Sequence, residues 1–320
     1  MEIQTIHIAV CLDKDFVMPT GVMMYSACVN NQDVDIVFHV LIDESVTEEE
    51  QRDLKETINM FQGKRMLFYP TNCLSAIDFP LFYKRLSRSA FYRLFLSDIL
   101  PPSIDKVLYL DGDIIVRHSL LPLWNNDLFN NAVGATIDAC EGDIEKYNRL
   151  RYSFKKGHFN SGVLLVNLKY WRDNHVEKDF LRYIADYPDR IILADQDVLN
   201  VIFQDKKLIL PVKYNLQTAF LRKVPRWDYW KYETELKEAM ADPTIVHFTE
   251  EGKPWIETTK NPHPFRSTFL KYQNQTKWND CRIERRSKNQ LLRIFVRVFF
   301  RKKSVKPPIK SKYLNIAPID

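Results

Sequence analysis

Asp111 and Asp113 stand two residues apart in Leu-Tyr-Leu-Asp-Gly-Asp-Ile-Ile-Val, directly after a short apolar run at residues 107–110. In extended backbone, residues two apart point to the same side. Two carboxylates so placed can converge on one hard divalent cation. Open α/β sheets bind ligands at the C-terminal ends of their strands, so the position suits a site. Gly112 would let the backbone bend and approach a ligand closely. Asp-Gly is also a common turn dipeptide, and the pair alone does not separate a metal site from a solvated turn.

Three downstream segments add to the signal. His158-Phe-Asn-Ser-Gly places polar groups just before an apolar run, and Ala194-Asp-Gln-Asp places acids and an amide at a helix start. Val246-His-Phe-Thr-Glu-Glu-Gly-Lys-Pro-Trp ends a strand pattern with His247 and sets Lys253 six residues later. Each segment has an ordinary explanation: Asn160 as a turn residue, Asp195 as a helix N-cap, His247 as a structural histidine. The four together, in this order, are hard to assign to chance.

The elements that must hold these groups alternate. Residues 6–10, 36–42, 66–69, 107–110, 132–137, 163–168 and 244–248 read as buried strands. Helices are predicted over residues 21–30, 47–61, 90–100 and 195–203, the second opened by a Thr47/Glu50 capping box and the third stopped by Pro101-Pro102. This alternation predicts an α/β fold with a parallel-rich sheet and helices on both faces.

Composition agrees. Of 320 residues, 45% are apolar and 27% charged, as in an ordinary globular protein. The five cysteines are scattered and odd in number, with no CxxC pair, which predicts buried free thiols and a reducing compartment. The N-terminus shows neither a basic region nor a long apolar run, so no signal peptide is expected, and no stretch has the ~20 apolar residues of a membrane span. The segment 281–312 carries twelve Lys/Arg and one acid, a net +11, which leaves −6 on the rest of a chain totalling +5. Within it, Arg293, Arg297 and Arg301 recur every four residues among Leu, Ile, Phe and Val. That spacing predicts an amphipathic helix lying on an anionic membrane surface. Packing on the body is the bland alternative; nucleic acid is not expected, since the body is acidic and carries no such motif. The expected division is a catalytic domain over residues 1–265 and a basic, partly amphipathic tail over residues 266–320.

These motifs resemble glycosyltransferase family 8, the retaining enzymes that include bacterial lipopolysaccharide galactosyl- and glucosyltransferases and, more distantly, glycogenin. The resemblance spans residues 5–257 and looks closest to the bacterial lipooligosaccharide galactosyltransferase type. It implies a GT-A fold, Rossmann-like with a mixed central sheet flanked by helices, and transfer of galactose or glucose from a UDP-sugar to a glycan or glycolipid acceptor. Residue by residue, it places Ala9 and Asp13 at the base and ribose, with Asp15 and Phe16 nearby, and Arg93 near the donor. Asp111, Asp113 and His247 match the metal ligands, with Mn²⁺ or Mg²⁺ expected. Asp138, Asn160 and Ser161 match positions around the donor sugar, Asp195 and Gln196 the pair beside the transferred sugar, and Lys253 the lysine on the diphosphate. Glu250 departs from the family pattern, which has glycine there, and an acid would repel phosphate unless it turns outward. Retention by double displacement would need a nucleophile, Gln196 or Asp195; a front-face route would need none, and is the one expected here. The acceptor side is expected around residues 140–160 and 212–235, where Tyr214, Trp227, Tyr229 and Trp230 could stack on sugar rings.

Two alternatives belong to other classes. A nucleotidyltransferase would show a Gly-rich N-terminal phosphate loop, and no glycine precedes Gly21. A catalytically silent UDP-sugar-binding module docked on a membrane is favoured only by Glu250. The overall expectation is a cytoplasmic enzyme, peripheral on the inner face of the membrane and engaged in lipopolysaccharide or surface-polysaccharide synthesis.

Overall fold

The computed structural model describes residues 3–81, 87–222, 232–250, 252–257, 262–279, 281 and 284–285. The chain opens with β1 (Thr5–Leu12), α1 (Val17–Val29), β2 (Asp35–Ile42), α2 (Glu48–Asn59) and β3 (Lys64–Pro70). There follow α3 (Ser89–Tyr92), α4 (Leu96–Ile99), β4 (Lys106–Leu110), β5 (Ile114–Val116), α5 (Leu121–Trp124), β6 (Val133–Ile137), α6 (Ile144–Leu150) and β7 (Phe159–Asn167). The last part holds α7 (Leu168–Asp173), α8 (Val176–Asp186), α9 (Asp195–Ile202), β8 (Lys207–Ile209), β9 (Leu216–Gln217), α10 (Glu233–Ala241), β10 (Ile245–His247), β11 (Ile256–Glu257), α11 (Arg266–Gln273) and β12 (Glu284–Arg285).

Among the described residues the central sheet has seven strands in the order β3-β2-β1-β4-β7-β6-β8. The first four run parallel, and β7 is antiparallel to both β4 and β6. The expected mixed α/β sheet is therefore present. β2 is buried along nearly its whole length, as a strand covered on both faces must be, which explains a sequence that is apolar from Ile36 to Ile42 except for His39, whose ring nitrogens lie 3.0 Å from His7 Nδ1 and 2.9 Å from the Tyr69 hydroxyl. One apolar cluster packs α1 and α2 on one face; another packs α3, α4 and α7 to α9 on the other.

Local chemistry sets most boundaries. The capping box at α2 forms: Glu50 N–H donates to Thr47 Oγ1 at 3.2 Å, and Thr47 N–H to Glu50 Oε2 at 2.8 Å. α1 starts four residues before its expected position because Pro19 falls in the first turn, where its missing N–H costs nothing. The helix expected over residues 90–100 is broken into α3, a 3-10 turn at Arg93–Phe95 and α4. Arg93 explains the break: its Nε donates to the Ala90 carbonyl at 3.0 Å, occupying a helical acceptor.

A second sheet, β5-β10-β9, sits beside the first. Its antiparallel β5–β10 register pairs His247 with Ile114, and Phe248 N–H donates to the Asp113 carbonyl at 2.9 Å. This pairing carries His247 to the Asp-Gly-Asp turn. α11, just past the expected boundary at residue 265, packs on the body: Phe269 is fully buried beside Phe248 and Phe265. Trp278 continues that packing, lying so close to α1 that a Cβ on Gly21 would meet its ring at 2.0 Å. The arginine-striped segment lies outside the described residues. Among the described residues no helix is long and apolar enough to cross a membrane. All five cysteines are free, but only Cys28 is buried; Cys73 and Cys281 are exposed, which corrects the expectation of uniformly buried thiols.

Candidate active site

Asp111 and Asp113 lie in the turn between β4 and β5, not in continuous extended backbone as the sequence suggested. Their carboxylates converge nonetheless, on His247: its Nε2 is 3.5 Å from Asp111 Oδ2 and 3.2 Å from Asp113 Oδ1. One ligand atom from each of the three residues falls within 4.8 Å of the others. Oxygen and nitrogen donors in this arrangement fit a divalent cation. Gly162 makes the approach possible. A Cβ on Gly162 would lie 2.1 Å from His247 Cε1 and 2.7 Å from Asp111 Oδ2. Gly112 serves packing: a Cβ there would meet Thr20 Oγ1 at 2.3 Å.

Positive groups flank the carboxylates. Lys253 Nζ contacts Asp113 Oδ2 and the Phe248 carbonyl. Burial pushes the Asp113 carboxyl up, but Lys253 and then His247 outweigh it and hold the group well below the usual carboxylate range. Arg93 is a buried strut. Its guanidinium lies 2.9 Å from Asp111 Oδ1 and 3.2 Å from Asp195 Oδ2, donates to the Ser161 carbonyl at 2.8 Å, and stacks on Tyr109. Tyr109 also donates to Asp111 Oδ1 at 2.9 Å.

Asp195 and Gln196 enter from the start of α9. The preceding residue, Ala194, takes φ 50° and ψ −128°, a left-handed conformation costing a side-chain-bearing residue about 1–3 kcal/mol. Both side chains that follow are buried in the cluster. Burial raises the Asp195 carboxyl to about 6, against the opposing pull of Arg93.

Gln196 heads a dense polar network. Its Oε1 accepts from Ser161 N–H and Asn160 Nδ2, each at 3.1 Å. Its Nε2 donates to Asp138 Oδ2 at 3.1 Å and faces His158 Nε2 at 3.3 Å. Asp138 Oδ1 accepts from Cys140 N–H and Lys146 Nζ, each at 2.9 Å. Burial pushes the Asp138 carboxyl up, but Lys146 and His158 hold it net below the usual range. His158 is itself driven well below the ordinary histidine value, first by burial and then by Lys146.

Arg93, Asp138, Asn160, Ser161, Asp195, Gln196 and Lys253 thus gather with the three ligand candidates. Asp13 lies beyond β1, where Ser89 Oγ donates to its Oδ2 at 3.4 Å, and a Cβ on Gly112 would lie 3.3 Å from the Phe16 ring. Ala9 is fully buried inside β1, and Asp15 stands exposed in the following 3-10 turn; both are outside the hydrogen-bonded cluster. Glu250 is paired with Arg222, which answers how an acid is accommodated beside Lys253. Tyr214 is core, buried in the first apolar cluster, and not a sugar platform; Trp227, Tyr229 and Trp230 lie outside the described residues. Sequence reasoning missed Lys146, Asn215 and Tyr152, whose hydroxyl lies 2.6 Å from His158 Nδ1, and quoted His158 without assigning it work. None stands in a local pattern; Lys146 and Tyr152 fall in the segment expected to bind acceptor.

A parallel nucleotide-binding half, with an Asp-x-Asp turn at its strand ends closed by a histidine, defines a glycosyltransferase of the GT-A fold. The chain belongs to glycosyl transferase family 8, whose family model matches residues 7–259. General stress protein A of Bacillus subtilis is 28% identical, covering 86% of this chain and 96% of that protein. The lipopolysaccharide 1,3-galactosyltransferase of Salmonella typhimurium is 25% identical, covering 87% and 80%. The solved galactosyltransferase LgtC, in complex with donor and acceptor sugar analogs, superposes with a TM-score of 0.74 at 25% identity, covering 85% of this chain and 96% of that one.

Proposed function

We propose that the protein moves a hexose, galactose or glucose, from a UDP-sugar to a glycan or glycolipid acceptor with retention of configuration, in lipopolysaccharide or surface-polysaccharide synthesis. The observation that carries this is the meeting of Asp111, Asp113 and His247 beside Lys253. The similarity to a lipopolysaccharide galactosyltransferase supports the substrate class.

Asp111, Asp113 and His247 would hold Mn²⁺ or Mg²⁺, which when bound supplies Lewis-acid neutralisation of charge on the departing diphosphate. Lys253 adds a positive charge on the same side. Asp13, with Phe16 and the end of β1, would take the nucleoside, as the family resemblance implies. Gln196 is a poor nucleophile in this setting, because its amide oxygen already accepts two hydrogen bonds. That supports a front-face route in which the leaving phosphate takes the acceptor's proton. Asp195, raised to about 6, is suited to a sugar hydroxyl contact as either donor or acceptor. The catalytic body extends through α11 and Trp278, and the basic tail beyond it docks on an anionic membrane surface at the cytoplasmic face.

The test is UDP release from a panel of UDP-sugars, with and without Mn²⁺. Wild type should release UDP from one hexose donor only with metal, and the Asp111→Asn, Asp113→Asn double variant should lose about a thousand-fold. Metal-independent turnover surviving in the double variant overturns the assignment.

A further inference from the structure

Asn215 is fully buried in the connection to β9 and lies among neither the metal ligands nor the sugar contacts considered above. Its two amide atoms face two different groups. Nδ2 donates to Asn160 Oδ1 at 2.8 Å, and Oδ1 lies 2.9 Å from His247 Nδ1. An amide can be flipped end for end, so its orientation has to be argued from fixed donors and acceptors.

The backbone provides the anchor. Gly162 N–H can only donate, and it points at Asn160 Oδ1 from 3.0 Å, so that atom is oxygen. The other end agrees: Asn160 Nδ2 faces Asp138 Oδ2 at 3.4 Å and Gln196 Oε1 at 3.1 Å, both acceptors. An oxygen at Asn160 requires the nitrogen of Asn215 to face it. The oxygen of Asn215 then faces His247, whose Nδ1 must carry a proton to make the bond. Nε2 remains as the nitrogen turned toward Asp111 and Asp113.

We propose that Asn215 is a positioning residue that fixes the tautomer and ring angle of His247, leaving Nε2 as the atom available to a divalent cation. The relay Gly162 N–H to Asn160 to Asn215 to His247 also ties the metal end to the donor-sugar network, because Asn160 belongs to both. A ligand histidine whose second nitrogen is held by an oriented acceptor binds metal more tightly, and losing such a partner typically costs about 10–100-fold in affinity.

This inference rests on the proposed metal assignment, and the experiment separates the two. Mn²⁺ is titrated into the full chain without donor, with free ion followed by electron paramagnetic resonance, for wild type, Asp113→Asn, Asn215→Leu and Asn215→Asp. Asn215→Leu should weaken Mn²⁺ about 10–100-fold, while Asn215→Asp, which keeps an acceptor toward Nδ1, should stay within about three-fold of wild type. If Asp113→Asn binds like wild type, the metal assignment itself fails. If Asp113→Asn loses the ion and Asn215→Leu does not, only the role of Asn215 fails. ¹⁵N spectra of histidine-labelled, metal-free wild type decide the matter independently of how the variants fold. A proton on His247 Nδ1 is expected, and a bare Nδ1 overturns the proposal.

Discussion

At one end of the buried cluster, the full cations that Asp111, Asp113 and Asp195 face among the described residues are Arg93 and Lys253, with His247 between the first two. At the other end, Asp138 is matched by Lys146, and all four hydrogen-bond positions of its carboxylate are filled by the protein. The first end carries carboxylates in excess and converging; the second is neutral and saturated. A buried carboxylate without matching charge is costly unless a ligand completes it. The metal end is thus built to gain a cation, whereas the sugar end is a finished scaffold that holds Gln196 and Asn160 in fixed orientations. Catalytic sites need both: a place where charge is added, and a frame that does not reorganise when it is.

The sharpest way to break this contrast is Gly162→Ala. A Cβ 2.1 Å from His247 Cε1 must push the imidazole away from the carboxylates. Mn²⁺ affinity should fall about 100-fold, while thermal melting should show a loss of about 1–3 kcal/mol, the ordinary cost of overpacking. Lys146→Met probes the saturated end. It strands the Asp138 carboxylate in the interior and should cost about 3–5 kcal/mol by urea unfolding, most of it recovered when Asp138→Asn is added. The Asp138 contribution has a definite sign: its native value is depressed, so the stability is present above about pH 4 and lost as pH falls through that lower value.

Asp195 should behave in the opposite sense. Its carboxyl titrates near 6 in the folded chain, above the unfolded value of about 3.9. Between those values the native state holds more protons, so stability falls as pH rises from about 4 to 6. Asp195→Asn should flatten that slope in metal-free protein, read from urea midpoints across the window. The smallest effect is expected at Arg222→Met, which releases Glu250 beside Lys253. Donor KM should rise about two- to five-fold, the scale of a partly exposed pair, and Glu250→Gln should restore it.

Strand and helix positions were largely legible in the chain. β2 is announced by an apolar run interrupted at His39, and α2 by Thr47 and Glu50, because both signals arise within a few residues. The break of the expected helix at Arg93 was not legible. It depends on burying a guanidinium between Asp111 and Asp195, which no local pattern records. Likewise, the spacing of Asp111 and Asp113 marks them as a pair but predicts extended backbone; the turn between β4 and β5 brings their carboxylates together by a different geometry.

The sequence by itself determined which chemistry was on offer: two acids, a histidine and a lysine in a family-like order, on strands that had to form a sheet. Only the tertiary structure decided which atoms face one another. The β5–β10 register delivers His247 to the turn, Arg222 draws Glu250 aside, and Asn160 and Asn215 pass a hydrogen-bond direction from the Gly162 backbone to the imidazole. Residue type is a local property that the sequence states outright. Hydrogen-bond direction and charge balance arise from contacts between distant segments, and they exist only once the chain has closed around them.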